Sequence, residues 1–139
     1  MKKILFITSL FISSFIFGQI TEGRLVGEWS NISETYSNCE KPKRNASHVS
    51  KSDDGCLTSA HGIVTCKQVS FKTENKYYSK AFFNDTEMVE EGTYKIDGDK
   101  LTITIDGYPK EYAILLTDNQ MTLTTTLLGC DYKVVSKKK

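Results

Sequence analysis

From Lys100 onward the chain alternates. "KLTITID" sets Leu101, Ile103 and Ile105 against Thr102, Thr104 and Asp106, and a period of two marks a half-buried strand. "EYAILLT" repeats the pattern with Tyr112, Ile114 and Leu116, "MTLTTTLL" with Met121, Leu123 and Leu127, and "CDYKVVS" with Cys130, Tyr132 and Val134. Turn signals separate these runs: "DGD" at 97–99, "DGYP" at 106–109, "TDNQ" at 117–120, and Gly129. Upstream, "GIVTCKQVSFK" and "KYYSKAFFN" flank a polar turn at Thr73 to Asn75. "EMVEEGTYKI" follows, and Gly92 reads as a bulge that keeps Tyr94 and Ile96 in phase. With an opening strand around "RLVGEWSN", the total is about eight antiparallel strands joined as hairpins. Short strands punctuated at roughly ten-residue intervals predict an all-β barrel or sandwich.

Two segments break the alternation. Met1-Lys2-Lys3 precedes an apolar to weakly polar run from Ile4 to Phe17, closed by Gly18 and Gln19. A charged start, an apolar stretch of this length and a small residue form the layout of a secretory signal peptide. The run is too short to cross a bilayer comfortably, which takes roughly 20 apolar residues. Residues 1–18 are therefore expected to be removed, leaving a single domain over 19–139 in the periplasm or outside the cell, with no stable membrane anchor. From Asn38 to Ala60 the chain is polar, "NCEKPKRNASHVSKSDDGCLTSA". So long a connection inside a compact domain reads as a functional lid between the first and second strands, or as room for a short extra hairpin.

Charge narrows the partners. The chain carries 18 basic and 17 acidic residues for a net charge of +1, and two of the lysines belong to the signal. Nucleic acid binding rests on a basic footprint that is absent here. The terminal "SKKK" reads as a solvated tail. Cys39, Cys56, Cys66 and Cys130 form an even set in a chain expected to meet an oxidising compartment, and so read as two disulfides. Three pairings are possible and the sequence does not choose among them. A local Cys56–Cys66 bridge is the simplest, which leaves Cys39 for Cys130. Metal spacings such as C-x₂-C are missing, and His48 and His61 have no partner at i+4. "SDDG" at 52–55 and "DGD" read as turns rather than calcium loops. No nucleophile elbow or triad spacing occurs. No metal, no cofactor and no catalysis are expected.

The opening stretch sharpens the fold. As a strand, "RLVGEWSN" puts Leu25, Gly27 and Trp29 on one face, with the only tryptophan of the chain beside a glycine that lets backbones approach. An eight-stranded barrel has an interior just wide enough for its own side chains or one small ligand, and such a tryptophan can plug one end. The alternative is an ordinary core tryptophan of a β-sandwich. "LVGEW" followed by a loop and a meander of short strands resembles the lipocalin (calycin) superfamily, with its Gly-x-Trp on the first strand. The likeness is greatest to small lipocalin-like proteins exported by Bacteroidetes-type bacteria, in which "GTYKIDGDKLTIT" has counterparts in mid-domain.

The resemblance implies an eight-stranded antiparallel up-and-down barrel with Leu25, Gly27 and Trp29 as its plug and the long loop over its open mouth. Inward aromatics, among Tyr77, Phe83, Tyr94, Tyr112 and Tyr132, would line the cavity. The expected work is binding of a small, largely apolar ligand; the alternative is a protein-interaction module, an inhibitor or accessory subunit of an envelope enzyme, with a filled barrel. Lipocalins set an arginine late in the chain over the tryptophan. Here the last strand offers Lys133 and Lys137, and no counterpart is assigned.

Overall fold

The computed structural model describes residues 22–40, 56–58, 64–83 and 86–139. The expected signal segment, both histidines, "SDDG" and most of the expected lid lie outside the described residues. The chain opens on a single helical turn, α1 (Glu22–Leu25), and continues as nine strands: β1 (Gly27–Ser37), β2 (Cys56–Thr58), β3 (Val64–Lys72), β4 (Lys76–Phe83), β5 (Thr86–Asp97), β6 (Lys100–Ile105), β7 (Tyr108–Leu116), β8 (Gln120–Leu127) and β9 (Cys130–Lys138). All neighbours are antiparallel. From β3 to β9 each strand pairs with the next, β9 pairs with β1, and β1 returns to β3. Eight strands thus close into an up-and-down barrel, as the hairpin pattern predicts. The short β2 is additional and lies on β3, the extra pairing for which the long connection has room.

Local chemistry sets the turns. Asp106 and Gly107 both have positive φ (52° and 81°), as do Leu128 and Gly129 (54° and 72°). Two consecutive positive φ values define the tight hairpin turn whose twist matches the flanking strands. Between β7 and β8, the Thr117 amide donates to the Gln120 carbonyl (2.8 Å) and the Gln120 amide to Thr117 Oγ1 (3.2 Å).

Alternation then sorts the side chains. Leu101, Ile103, Ile114, Leu116, Met121, Leu123 and Val134 turn inward and join Leu25, Trp29, Val69, Phe71, Tyr77 and Tyr94 in one buried core. Most of these sit towards one end, where β1, β4, β6 and β8 begin and β3, β5, β7 and β9 finish. Phe71 anchors that end, edge-on to Tyr94 at 5.1 Å and tilted against Tyr77 at 5.5 Å.

Three local expectations are corrected. Leu25 is not on the first strand; it ends α1, and Gly27 makes the corner into β1 at φ +140°. Gly92 is not a bulge, since it stays in register between Tyr77 and Ile105. A Cβ there would run into the Thr104 carbonyl oxygen, so the glycine permits close backbone approach instead. The register shift lies in β1 between Asn31 and Ser33, and the extra residue, Ile32, lets β1 curl around the barrel. The "SKKK" terminus is also not a solvated tail. Ser136 is buried, Lys137 pairs with Ser30 and Lys138 with Trp29.

Candidate functional site

One end of the barrel is closed by packing. Trp29 is 0% exposed, and its Nε1 donates to the Leu25 carbonyl at 2.9 Å. That bond ties the indole to α1, which lies across this end with Leu25 in the core. Lys138 Nζ stands 5.3 Å from the indole centre and donates to the Arg24 carbonyl at 3.1 Å. A cation over the tryptophan from the last strand is therefore present, and Lys138 supplies it rather than the Lys133 or Lys137 named from sequence. Gly27 makes room: a Cβ there would lie 2.9 Å from Lys138 Cε.

The other half of the interior differs in chemistry. A residual cavity of about 50 Å³ is bounded by the apolar Val69, Phe71, Ile103, Leu123 and Val134 and by Asn31, Lys67, Tyr77, Tyr112, Tyr132 and Ser136. Register partners on adjacent strands share a face, which adds more polar groups to this half. Glu90 faces Ser79, Lys110 faces Ile103, Glu34 faces Val134 and Tyr36 faces Tyr132. Hydrogen bonds order several of them. Ser136 Oγ donates to Asn31 Oδ1 (2.9 Å), Asn31 Nδ2 donates to Glu34 Oε1 (3.3 Å), and Ser79 Oγ donates to Glu90 Oε2 (3.0 Å). The Tyr36 and Tyr132 rings meet at 4.9 Å.

Burial dominates the ionisation of this half. It pushes the Tyr77 phenol up to about 12, with Glu90 and Tyr112 adding to the rise and a hydrogen bond to Ser79 partly offsetting it. Tyr132 is raised by burial and then by Glu34, and Tyr112 by burial and then by Glu90. The Lys110 ammonium is held below its ordinary value, first by burial and then by Lys67, against a smaller opposing effect of Glu90. At neutral pH the phenols of this wall are therefore neutral.

The five aromatics expected to line a cavity separate into three groups. Tyr77, Tyr112 and Tyr132 come together around it. Tyr94 lies a layer lower, with its ring in the core and the single proton of its hydroxyl shared between the Lys72 carbonyl (3.0 Å) and Glu22 Oε1 (3.3 Å). It borders a separate open groove of about 390 Å³ at the closed end, with Glu22, Asn75 and Asp97. Phe83 does not line the cavity; it is 42% exposed at the rim, next to Phe82. Asn31, Glu34, Lys67, Glu90, Lys110 and Ser136 were missed, because a charged or small polar residue reads as solvent-facing, and Tyr36 because the opening strand reads only to Asn31. The phase of Asn31 with Trp29, Lys67 with Val69, Glu90 with Tyr94, Lys110 with Tyr112 and Ser136 with Val134 is the signal that places them inside, whereas the shift at Ile32 hides Glu34 and Tyr36.

Disulfides stand at this open half. Cys39 is joined to Cys130 and Cys56 to Cys66, so both described ends of the long connection are tied to the wall. Two disulfides point to an oxidising compartment, periplasmic or extracellular.

Comparison with known proteins agrees with this architecture. The lipocalin-like domain profile matches residues 25–123. A lipocalin-like protein from Bacteroides uniformis superposes with a TM-score of 0.57 at 14% identity, over 84% of this chain and all of that one. A protein from Bacteroides eggerthii superposes with a TM-score of 0.52 at 17% identity, over 83% and 99% of the two chains. At these identities the structures speak for the fold alone. No curated protein matches the chain.

Proposed function

The chain belongs to the lipocalin-like domain family, and from that premise we propose that it is an exported binding protein, not an enzyme, that takes a small molecule into the open half of its barrel. The carrying observation is the cavity bounded by Tyr77, Tyr112 and Tyr132, where the packed apolar core stops and a ring of phenols begins. Beside it the described core residues pack against one another, which favours a compact ligand over a long apolar one. The expectation of a largely apolar ligand is accordingly narrowed to a compact one with a flat apolar part and polar edges. Its apolar surface would be buried at roughly 25 cal/mol per Å², with the polar wall fixing its orientation. The two disulfides and the signal-like N-terminus support export.

The test uses a compact neutral aromatic probe, 4-(dimethylamino)benzonitrile, whose emission rises on leaving water. Saturable enhancement is expected with the purified protein. It should weaken in Tyr112→Ala and disappear in Val134→Phe, which fills the cavity. No enhancement with the wild-type chain would overturn the reading.

A second reading rests on the β4–β5 hairpin. Phe82, Phe83, Met88 and Val89 are 38–53% exposed there, and alternation puts two on each face of the hairpin. Exposed apolar clusters of this kind mark contact surfaces, which favours an envelope protein partner. Under that reading, Phe82→Ser with Val89→Ser abolishes partner capture and leaves probe uptake unchanged.

A further inference from the structure

Two lysines face into the open half, and among the described residues neither forms an ion pair; Glu90 is the least of the influences on Lys110. Lys67 lines the cavity wall beside Val69 and Phe71. Lys110 stands on the inward face of β7 opposite Ile103, its Nζ 5.5 Å from the Tyr112 ring centre. The ion pairs among the described residues lie elsewhere, at Arg24–Asp118, Lys76–Glu74, Lys80–Glu87 and Lys100–Glu111. The two inward carboxylates are already engaged, Glu90 by the Ser79 hydroxyl and Glu34 by the Asn31 amide. Among the described residues the two cations have no hydrogen-bonded carboxylate, and Glu90 offsets only part of what lowers Lys110. Lys67 and Lys110 are close enough to destabilise one another, since Lys67 helps hold the Lys110 ammonium below its ordinary value. Like charges sharing a half-buried site are relieved by an anion between them.

The rest of the wall sets the body of that anion. Tyr112 and Tyr132 line the cavity with Lys67, Lys110 stands over the Tyr112 ring, and the free space is of the order of one small group. Aromatic rings pair well with such faces at little conformational cost, whereas an acyl chain would have to displace the packed core residues. We propose that the open-half site, read above as the binding site of a small molecule, takes a compact aromatic carboxylate, its anionic group held by Lys67 and Lys110 and its ring against Tyr112 and Tyr132.

Three isosteres of one compact aromatic body provide the test: benzoate, benzamide and benzylammonium, each titrated calorimetrically into the purified protein at low salt. A hydrogen bond to a charged group is worth enough to favour the carboxylate over the amide by about tenfold or more, with the ammonium weakest. Lys67→Met with Lys110→Met should bring carboxylate and amide to equal affinity, whereas the paired arginine variants should keep the preference. Near-equal binding of carboxylate and amide by the wild-type chain, or tighter ammonium binding, overturns the anion assignment and leaves a ligand-binding barrel standing. If none of the three binds, the binding-site reading itself falls with it.

Discussion

The Trp29 indole is held by a hydrogen bond to Leu25, by Lys138 above its face and by the apolar core around it. Trp29→Ala is expected to destabilise the protein by about 3–5 kcal/mol, the cost of losing a large buried aromatic, measured by urea denaturation; a loss below about 1 kcal/mol, typical of surface positions, would remove the plug role. Lys138→Arg should be tolerated, and Lys138→Ala should cost about 1 kcal/mol through the lost cation–π contact. Gly92→Ala should cost about 2 kcal/mol or more, since its methyl group meets the Thr104 carbonyl, a backbone group that cannot swing away. Trp29 and Gly27 were legible in the sequence because a lone tryptophan two residues after a glycine is conspicuous. Lys138 was not, because three lysines at a chain end look solvated. The phase running through Val134 and Ser136 continues to Lys138, and the pairing of that residue with Trp29 is a long-range fact that no local pattern carries.

Among the elements, the hairpins from β3 to β9 followed from alternation and turn residues, since each strand is half-buried and each turn is local. What local reading could not supply is closure: β1 meets β9 and β3 through pairings that span most of the chain. The disulfides divide along the same line. Cys56–Cys66 closes 10 residues and Cys39–Cys130 closes 91. By loop-closure entropy these differ, about 2.7 against about 4.6 kcal/mol. Paired Cys→Ser replacements should therefore show the larger fall in chemical denaturation midpoint for the Cys39–Cys130 pair. Equal losses would mean that the unfolded chain is already compact around the long loop. The β4–β5 hairpin completes this scale: alternation was readable through Phe83, but that residue lies beyond the height at which the barrel closes over its contents.

At the scale of the molecule, the barrel divides into an apolar half that packs itself and a polar half that does not. Sequence reasoning placed aromatics inside and charges outside; that rule holds where strands are covered on one face and fails at the mouth, where Lys67, Glu90 and Lys110 face inward. Buried phenols give this division a pH signature. Tyr77 and Tyr94 are pushed up to about 12 from an ordinary 10.0. Below pH 10 they are neutral in both folded and unfolded chains; above it the unfolded chain ionises first. Stability should therefore fall as pH rises from 10 towards 12, followed by denaturation with parallel phenolate absorbance. Ionisation of all tyrosines at the ordinary value in the native protein would contradict their burial. The way β3 divides its free edge carries a further consequence. It pairs with β1 from Gln68 to Phe71 and with β2 from Val64 to Cys66, so Lys67 stands where one neighbour hands over to the other. The cylinder is zipped by a ladder along part of its height, and above it β1 and β2 lie side by side with no ladder between them among the described residues, so a guest swelling the wall would strain that seam before any hydrogen-bonded one.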